Sequence, residues 1–100
     1  MYKHEEVWDN IDNDGRTAIW EAADKTRTDV VRLMTELGAD VHIANSDSVT
    51  ALYCASYRGD VDAVECLLNA NAEINKKTNN GWTALHTAVY NGHFGVVELL

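Results

Sequence analysis

The residues of this chain best suited to chemistry form an oxygen-rich run near its start. Asn10-Ile11-Asp12-Asn13-Asp14-Gly15, with Glu21 six residues further on, approximates the calcium loop D-x-D-x-D-G-x5-E. Such a loop needs oxygens at alternate positions, a Gly turn and a bidentate Glu. The match is incomplete, because Asn10 holds the first position and Thr17 stands where an aliphatic residue is usual. The histidines, His4, His42, His86 and His93, are scattered, with no C-x-x-C or H-x-x-x-H spacing to gather a metal. There is no Gly-rich phosphate loop and no G-x-S-x-G elbow. The sequence therefore predicts a chain that is not an enzyme, with no cofactor and no metal.

The elements that must position these residues follow a fixed period. Gly15-Arg16-Thr17-Ala18-Ile19-Trp20-Glu21-Ala22-Ala23 aligns with Ser48-Val49-Thr50-Ala51-Leu52-Tyr53-Cys54-Ala55-Ser56 and with Gly81-Trp82-Thr83-Ala84-Leu85-His86-Thr87-Ala88-Val89, 33 residues apart each time. Val30-Val31-Arg32-Leu33-Met34, Ala63-Val64-Glu65-Cys66-Leu67 and Val96-Val97-Glu98-Leu99-Leu100 keep the same register. A period of this length means stacked units without one global core. It also puts residues 18–21 on a helix, which cannot wrap a calcium ion.

Within each unit, Thr17, Thr50 and Thr83 precede apolar runs, and each can cap a first helix with its hydroxyl. Ala22, Ala55 and Ala88 are small enough to let neighbouring helices approach. Gly59 and Gly92 suit a left-handed turn after the first helix. Thr26 holds that position in the first copy, where a β-branched residue is unfavourable. A second helix follows, with Val31, Leu33 and Met34, then Val64, Cys66, Leu67 and Leu68, expected to face neighbouring helices. Trp20 and Tyr53 are expected in the core, and His86 as a packing residue. The polar stretches 42–48 and 75–81 read as projecting turns.

The segment G-x-T-A-L-x-x-A-A, followed by G-H/D-x-x-V-V-x-L-L and G-A-D-V-N, resembles an ankyrin repeat. The third copy, through Asn91-Gly92-His93-Phe94-Gly95-Val96-Val97-Glu98-Leu99-Leu100, is nearest the pattern. The resemblance covers residues 12–100. It implies an all-α ankyrin-repeat solenoid of helix-turn-helix units joined by projecting, β-hairpin-like turns. On this reading residues 1–100 form one domain: an N-terminal tail or partial unit at 1–11, repeats at 12–44 and 45–77, and a truncated repeat at 78–100. The usual Pro at the helix start is replaced by Ala18, Ala51 and Ala84. Ala is a good helix former, so pre-organisation is lost but not the helix.

Composition narrows the partners. Sixteen acids against 8 bases give a net charge of −8, the wrong sign for phosphate backbones, so basic protein partners are expected and nucleic acid is not. The first twenty residues hold no long apolar run, so neither a signal peptide nor membrane insertion is expected. Two unrepeated cysteines, Cys54 and Cys66, read as reduced thiols of an intracellular protein, cytoplasmic or nuclear. Leu100 falls inside the third second-helix with nothing polar to cap it. That end is expected to meet a partner, a second copy, or further sequence.

The resemblance implies non-catalytic recognition of a protein partner on the projecting turns and the first-helix side of the concave face. The matching positions are Asp14, Arg16 and Asp24 in copy one, Asp47, Val49, Tyr57 and Arg58 in copy two, and Asn80, Trp82, Tyr90 and Asn91 in copy three. The three copies differ most at these positions. Trp, Tyr and Arg dominate interface energetics, so an aromatic anchor beside an acidic end predicts a partner with an apolar knob and nearby Lys or Arg. The alternative is a targeting or regulatory segment of a larger enzyme, channel or effector. Asn75, in the turn after Glu73-Ile74 with Leu67 eight residues earlier, resembles the site that asparaginyl hydroxylases modify in ankyrin repeats.

Overall fold

A computed structural model describes residues 17–100. It contains three helix pairs in sequence: α1 (Ala18–Asp24) and α2 (Thr28–Glu36), α3 (Ala51–Arg58) and α4 (Val61–Asn69), α5 (Ala84–Tyr90) and α6 (Phe94–Leu99). First helices pack on first helices, α1 on α3 on α5, and second helices on second helices, α2 on α4 on α6. No strand or sheet forms among the described residues; an isolated antiparallel bridge joins Ala44 to Thr50. The architecture is an all-α helical solenoid. Asp14 and Arg16, and most of the oxygen-rich run, lie outside the described residues, but Glu21 sits in the first turn of α1.

Each first helix starts at its threonine. Thr17, Thr50 and Thr83 have extended backbones, and their hydroxyls accept from the backbone N–H groups of Trp20, Tyr53 and His86 at 3.4, 3.2 and 3.3 Å. Each cap contributes about 1 kcal/mol to its helix. The helices then close through alanine: Ala22, Ala55 and Ala88 are all buried, the last two completely. Ile19 and Leu52 hold equivalent places on α1 and α3 and are buried under the following unit, whereas Leu85 on α5 is 40% exposed. The contrast follows directly from stacking, since that face of α5 has no helix pair over it among the described residues.

On the second helices the expected pattern needs one correction. Val31, Met34, Val64 and Leu67 are buried, but Leu33 is 54% exposed. It lies two residues from Val31, about 200° around the helix, and so faces away from the packed side. Several side-chain links join the pairs. Thr28 donates its hydroxyl to Asp60, whose other carboxylate oxygen caps α4 by accepting from Ala63 N–H at 3.2 Å. His93 Nε2 donates to the Tyr57 carbonyl at 2.9 Å.

The turn between paired helices requires a left-handed residue. Gly59 takes it with φ +77°, and a Cβ there would come within 2.5 Å of the His93 ring. In the first unit Thr26 is held at φ +56°, a conformation that costs a non-glycine residue about 1–3 kcal/mol. Thr26→Gly should therefore stabilise the chain by about 1 kcal/mol after allowance for the greater chain entropy of glycine. Urea unfolding should show a raised midpoint at an unchanged slope; a lowered midpoint would mean the turn is not strained.

Candidate functional site

The first helices and the turns that precede them enclose a groove. Each turn is built by its own polar residues. In the first, Asn45 Oδ1 accepts from the N–H groups of Asp47 and Val49, both at 2.9 Å, and Ser48 adopts φ +63°. In the second, Thr78 N–H donates to the Trp82 carbonyl at 2.8 Å, and Trp82 N–H donates to the Thr78 hydroxyl at 3.2 Å. The turns are also tied to each other: Asn79 donates its backbone N–H to the Asp47 carbonyl at 3.0 Å and its amide to the Ser46 carbonyl at 3.2 Å.

Two hollows lie along the groove. The first, about 290 Å³, lies between α1, the first turn and α3, and is lined by Trp20, Asp24, Val49, Tyr53, Tyr57 and Arg58 among others. The second, about 340 Å³, lies between α3, the second turn and α5, with Tyr53, Tyr57, Asn80, Trp82, Tyr90 and Asn91 in its walls. Tyr53 and Tyr57 belong to both and form the ridge between them. Of the residues singled out from the sequence, Asp24, Val49, Tyr57, Arg58, Asn80, Trp82, Tyr90 and Asn91 are thus brought into one groove. Asp47 is exposed at the tip of its turn and lines neither hollow. Asn75 lies exposed in the turn after α4, away from the groove lining.

The side chains are held in distinct ways. Trp82 packs edge-on against Tyr90, with ring centroids 5.6 Å apart and planes at 77°, and against His86 at 5.9 Å. Such a pair contributes about 0.5–1.5 kcal/mol beyond the area it covers, so the two rings form a fixed corner. Arg58 reaches back across the unit boundary. It donates to the Asp24 carbonyl at 3.1 Å and carboxylate at 3.3 Å, while its guanidinium lies 5.3 Å from the Tyr57 ring centroid. With 44% and 24% of the two side chains exposed, this ion pair is worth little in stability, but it fixes where the charge sits. Asn91 donates its amide to the Thr87 carbonyl and hydroxyl at 2.8 and 3.2 Å.

One groove residue was expected elsewhere. Tyr53, expected in the core, is only half-buried and forms the ridge. His86 is exposed, yet it packs against Trp82 and is satisfied as expected: its Nδ1 accepts from Thr83 N–H at 3.0 Å and completes a reciprocal cap. Trp20 is buried as expected, and its indole N–H donates to the Val49 carbonyl at 2.7 Å, so it also fastens the first turn. The available signal was their shared register: residues 20, 53 and 86 stand one turn before Asp24, Tyr57 and Tyr90 on the same helix face.

A third hollow, about 380 Å³, lies between the second helices and is lined by Arg32, Glu36, Glu65, Cys66 and Asn69. Its charges are of both signs and it has no aromatic lining, which suits a solvated surface. Cys54, on the groove side, is buried. Burial first, and the nearby Asp24 carboxylate second, push its thiol up to about 12. A thiol held so far above its ordinary range stays protonated and unreactive at neutral and mildly basic pH. Both cysteines are free, and Cys66 is half-exposed. A thiol reagent at pH 8 should therefore modify Cys66 in the native chain and Cys54 only after denaturation, as read by peptide mass mapping.

No helix among the described residues is long and apolar enough to cross a membrane. Comparison with the curated proteins yields no match. A family model for three copies of the ankyrin repeat matches residues 33–100, and one for a single ankyrin repeat matches residues 14–46. With the stacked helix pairs, the threonine caps and the projecting turns described above, these matches settle the family: the chain belongs to the ankyrin-repeat proteins.

Proposed function

We propose that this chain is a non-catalytic recognition module that binds a protein segment along the groove between its first helices and its projecting turns. Ankyrin repeats are in general protein–protein interaction modules. The observation that carries the reading here is the continuous aromatic groove, in which Tyr53 and Tyr57 join two hollows and Trp82 and Tyr90 form a fixed corner. Tyr57, Trp82 and Tyr90 are 48%, 37% and 78% exposed, so large rings are presented to solvent in one place, where a partner gains most from covering them. The chain's charge of −8 favours a partner segment with Lys or Arg beside its apolar contacts. Tyr57→Ala with Trp82→Ala should abolish capture of partners from cell lysate while leaving far-UV circular dichroism unchanged. Equal capture by a folded variant would place the binding face elsewhere.

A second reading has its own observation. Leu85 and Val89 on α5 are 40% and 60% exposed, although their counterparts Leu52 and Ser56 on α3 are buried under the next unit. The repeat thus covers this face with another helix pair wherever one follows. Association of two copies through it would recover part of the roughly 1.5–3 kcal/mol that full burial of a leucine contributes. Sedimentation equilibrium should then show a concentration-dependent dimer that Leu85→Lys converts to monomer; a monomer at every concentration removes this reading.

A further inference from the structure

The hydrogen-bonding character of the groove points to a class of ligand. In the second hollow the Trp82 indole N–H, the hydroxyls of Tyr53, Tyr57 and Tyr90 and the Asn80 amide make no hydrogen bond within the chain. The lining contains no carboxylate and no basic side chain. Its walls are therefore aromatic faces with one donor-only group, the Trp82 indole N–H, beside hydroxyls and an amide that can each donate or accept. A primary ammonium would find no carboxylate in this lining to pair with. An ordinary extended peptide brings an N–H for every C=O, and each must find its own acceptor once buried. A proline brings a carbonyl acceptor, no N–H, and a flat apolar ring for an aromatic wall.

Spacing agrees with this. Packed neighbouring helices stand about 8–10 Å apart, and the two hollows are separated by one helix, α3, whose Tyr53 and Tyr57 form the ridge. Three residues of polyproline II rise about 9 Å and complete one turn, so positions i and i+3 present the same face. That conformation has no internal hydrogen bonds, and its carbonyls are open to outside donors. Among the described residues the cation beside the first hollow is Arg58, which is already held by Asp24 and Tyr57.

We infer that the groove takes a proline-rich segment in the polyproline II conformation, with prolines three residues apart seated in the two hollows and flanking Lys or Arg drawn by the net negative charge. This rests on the groove being the binding face.

The test is titration of the ¹⁵N-labelled full chain with a synthetic peptide of two arginines followed by ten prolines. A peptide of two arginines followed by ten alternating glycines and serines is the control. The Trp82 indole resonance should move saturably with the proline peptide and not with the control. Tyr90→Phe keeps the ring and removes one donor, and should weaken binding by about two- to tenfold. Tyr57→Ala should weaken it by more than about tenfold, with both variants still helical. An unmoved Trp82 resonance or an equal response to the control would overturn the inference. If the proline peptide fails while the Tyr57→Ala/Trp82→Ala chain still loses its lysate partners, the groove stands as the binding face and only the ligand class falls.

Discussion

Close contact between neighbouring first helices is the constraint on which everything else in this chain depends. Ala22, Ala55 and Ala88 recur every 33 residues and are buried at each occurrence. A larger side chain at any of them would push one unit off the next, and with it the turn that the unit carries. The groove exists only because the first helices stand this close and the turns project beyond them. Its shape is thus set by residues that do not line it.

The same constraint explains how stability is distributed. Ile19 and Leu52 are buried only because a further unit covers them, while Leu85, with the same place in its own unit, stays 40% exposed. A helix pair here has no core of its own, and its apolar residues become core when a neighbour arrives. Ser56 shows how tight that closure is, since its hydroxyl is fully buried with no hydrogen-bond partner among the described residues. An unpaired buried hydroxyl costs about 1–3 kcal/mol, and the equivalent positions carry Ala23 and Val89.

Much of this was legible from the residues. The period, the capping threonines, the alanines and the left-handed turns each follow from a local rule applied three times, and three agreeing copies leave little room for another arrangement. The place of the groove was legible for a different reason: the copies agree where they pack and differ where they face outward. Other features have no local signature. Leu33 reads as core from its type, but its angle around α2 turns it outward. Tyr53 and His86 share a register with the buried Trp20, yet their exposure depends on the width of the groove at each unit. The edge-on contact of Trp82 with Tyr90 joins a turn to a helix end, and eight residues of sequence do not reveal how those two rings meet. Asp14 and Arg16 lie outside the described residues.

The bond from Asn79 N–H to the Asp47 carbonyl is made by main-chain atoms on both sides. It holds the second turn against the first whichever side chains the two tips carry. The surface at which the three copies differ most therefore rests in part on a joint made by main-chain atoms. Substitutions at the tips can redraw what the surface reads while its curvature stays the same. Among single substitutions at position 79, proline alone would remove the N–H donor of this bond.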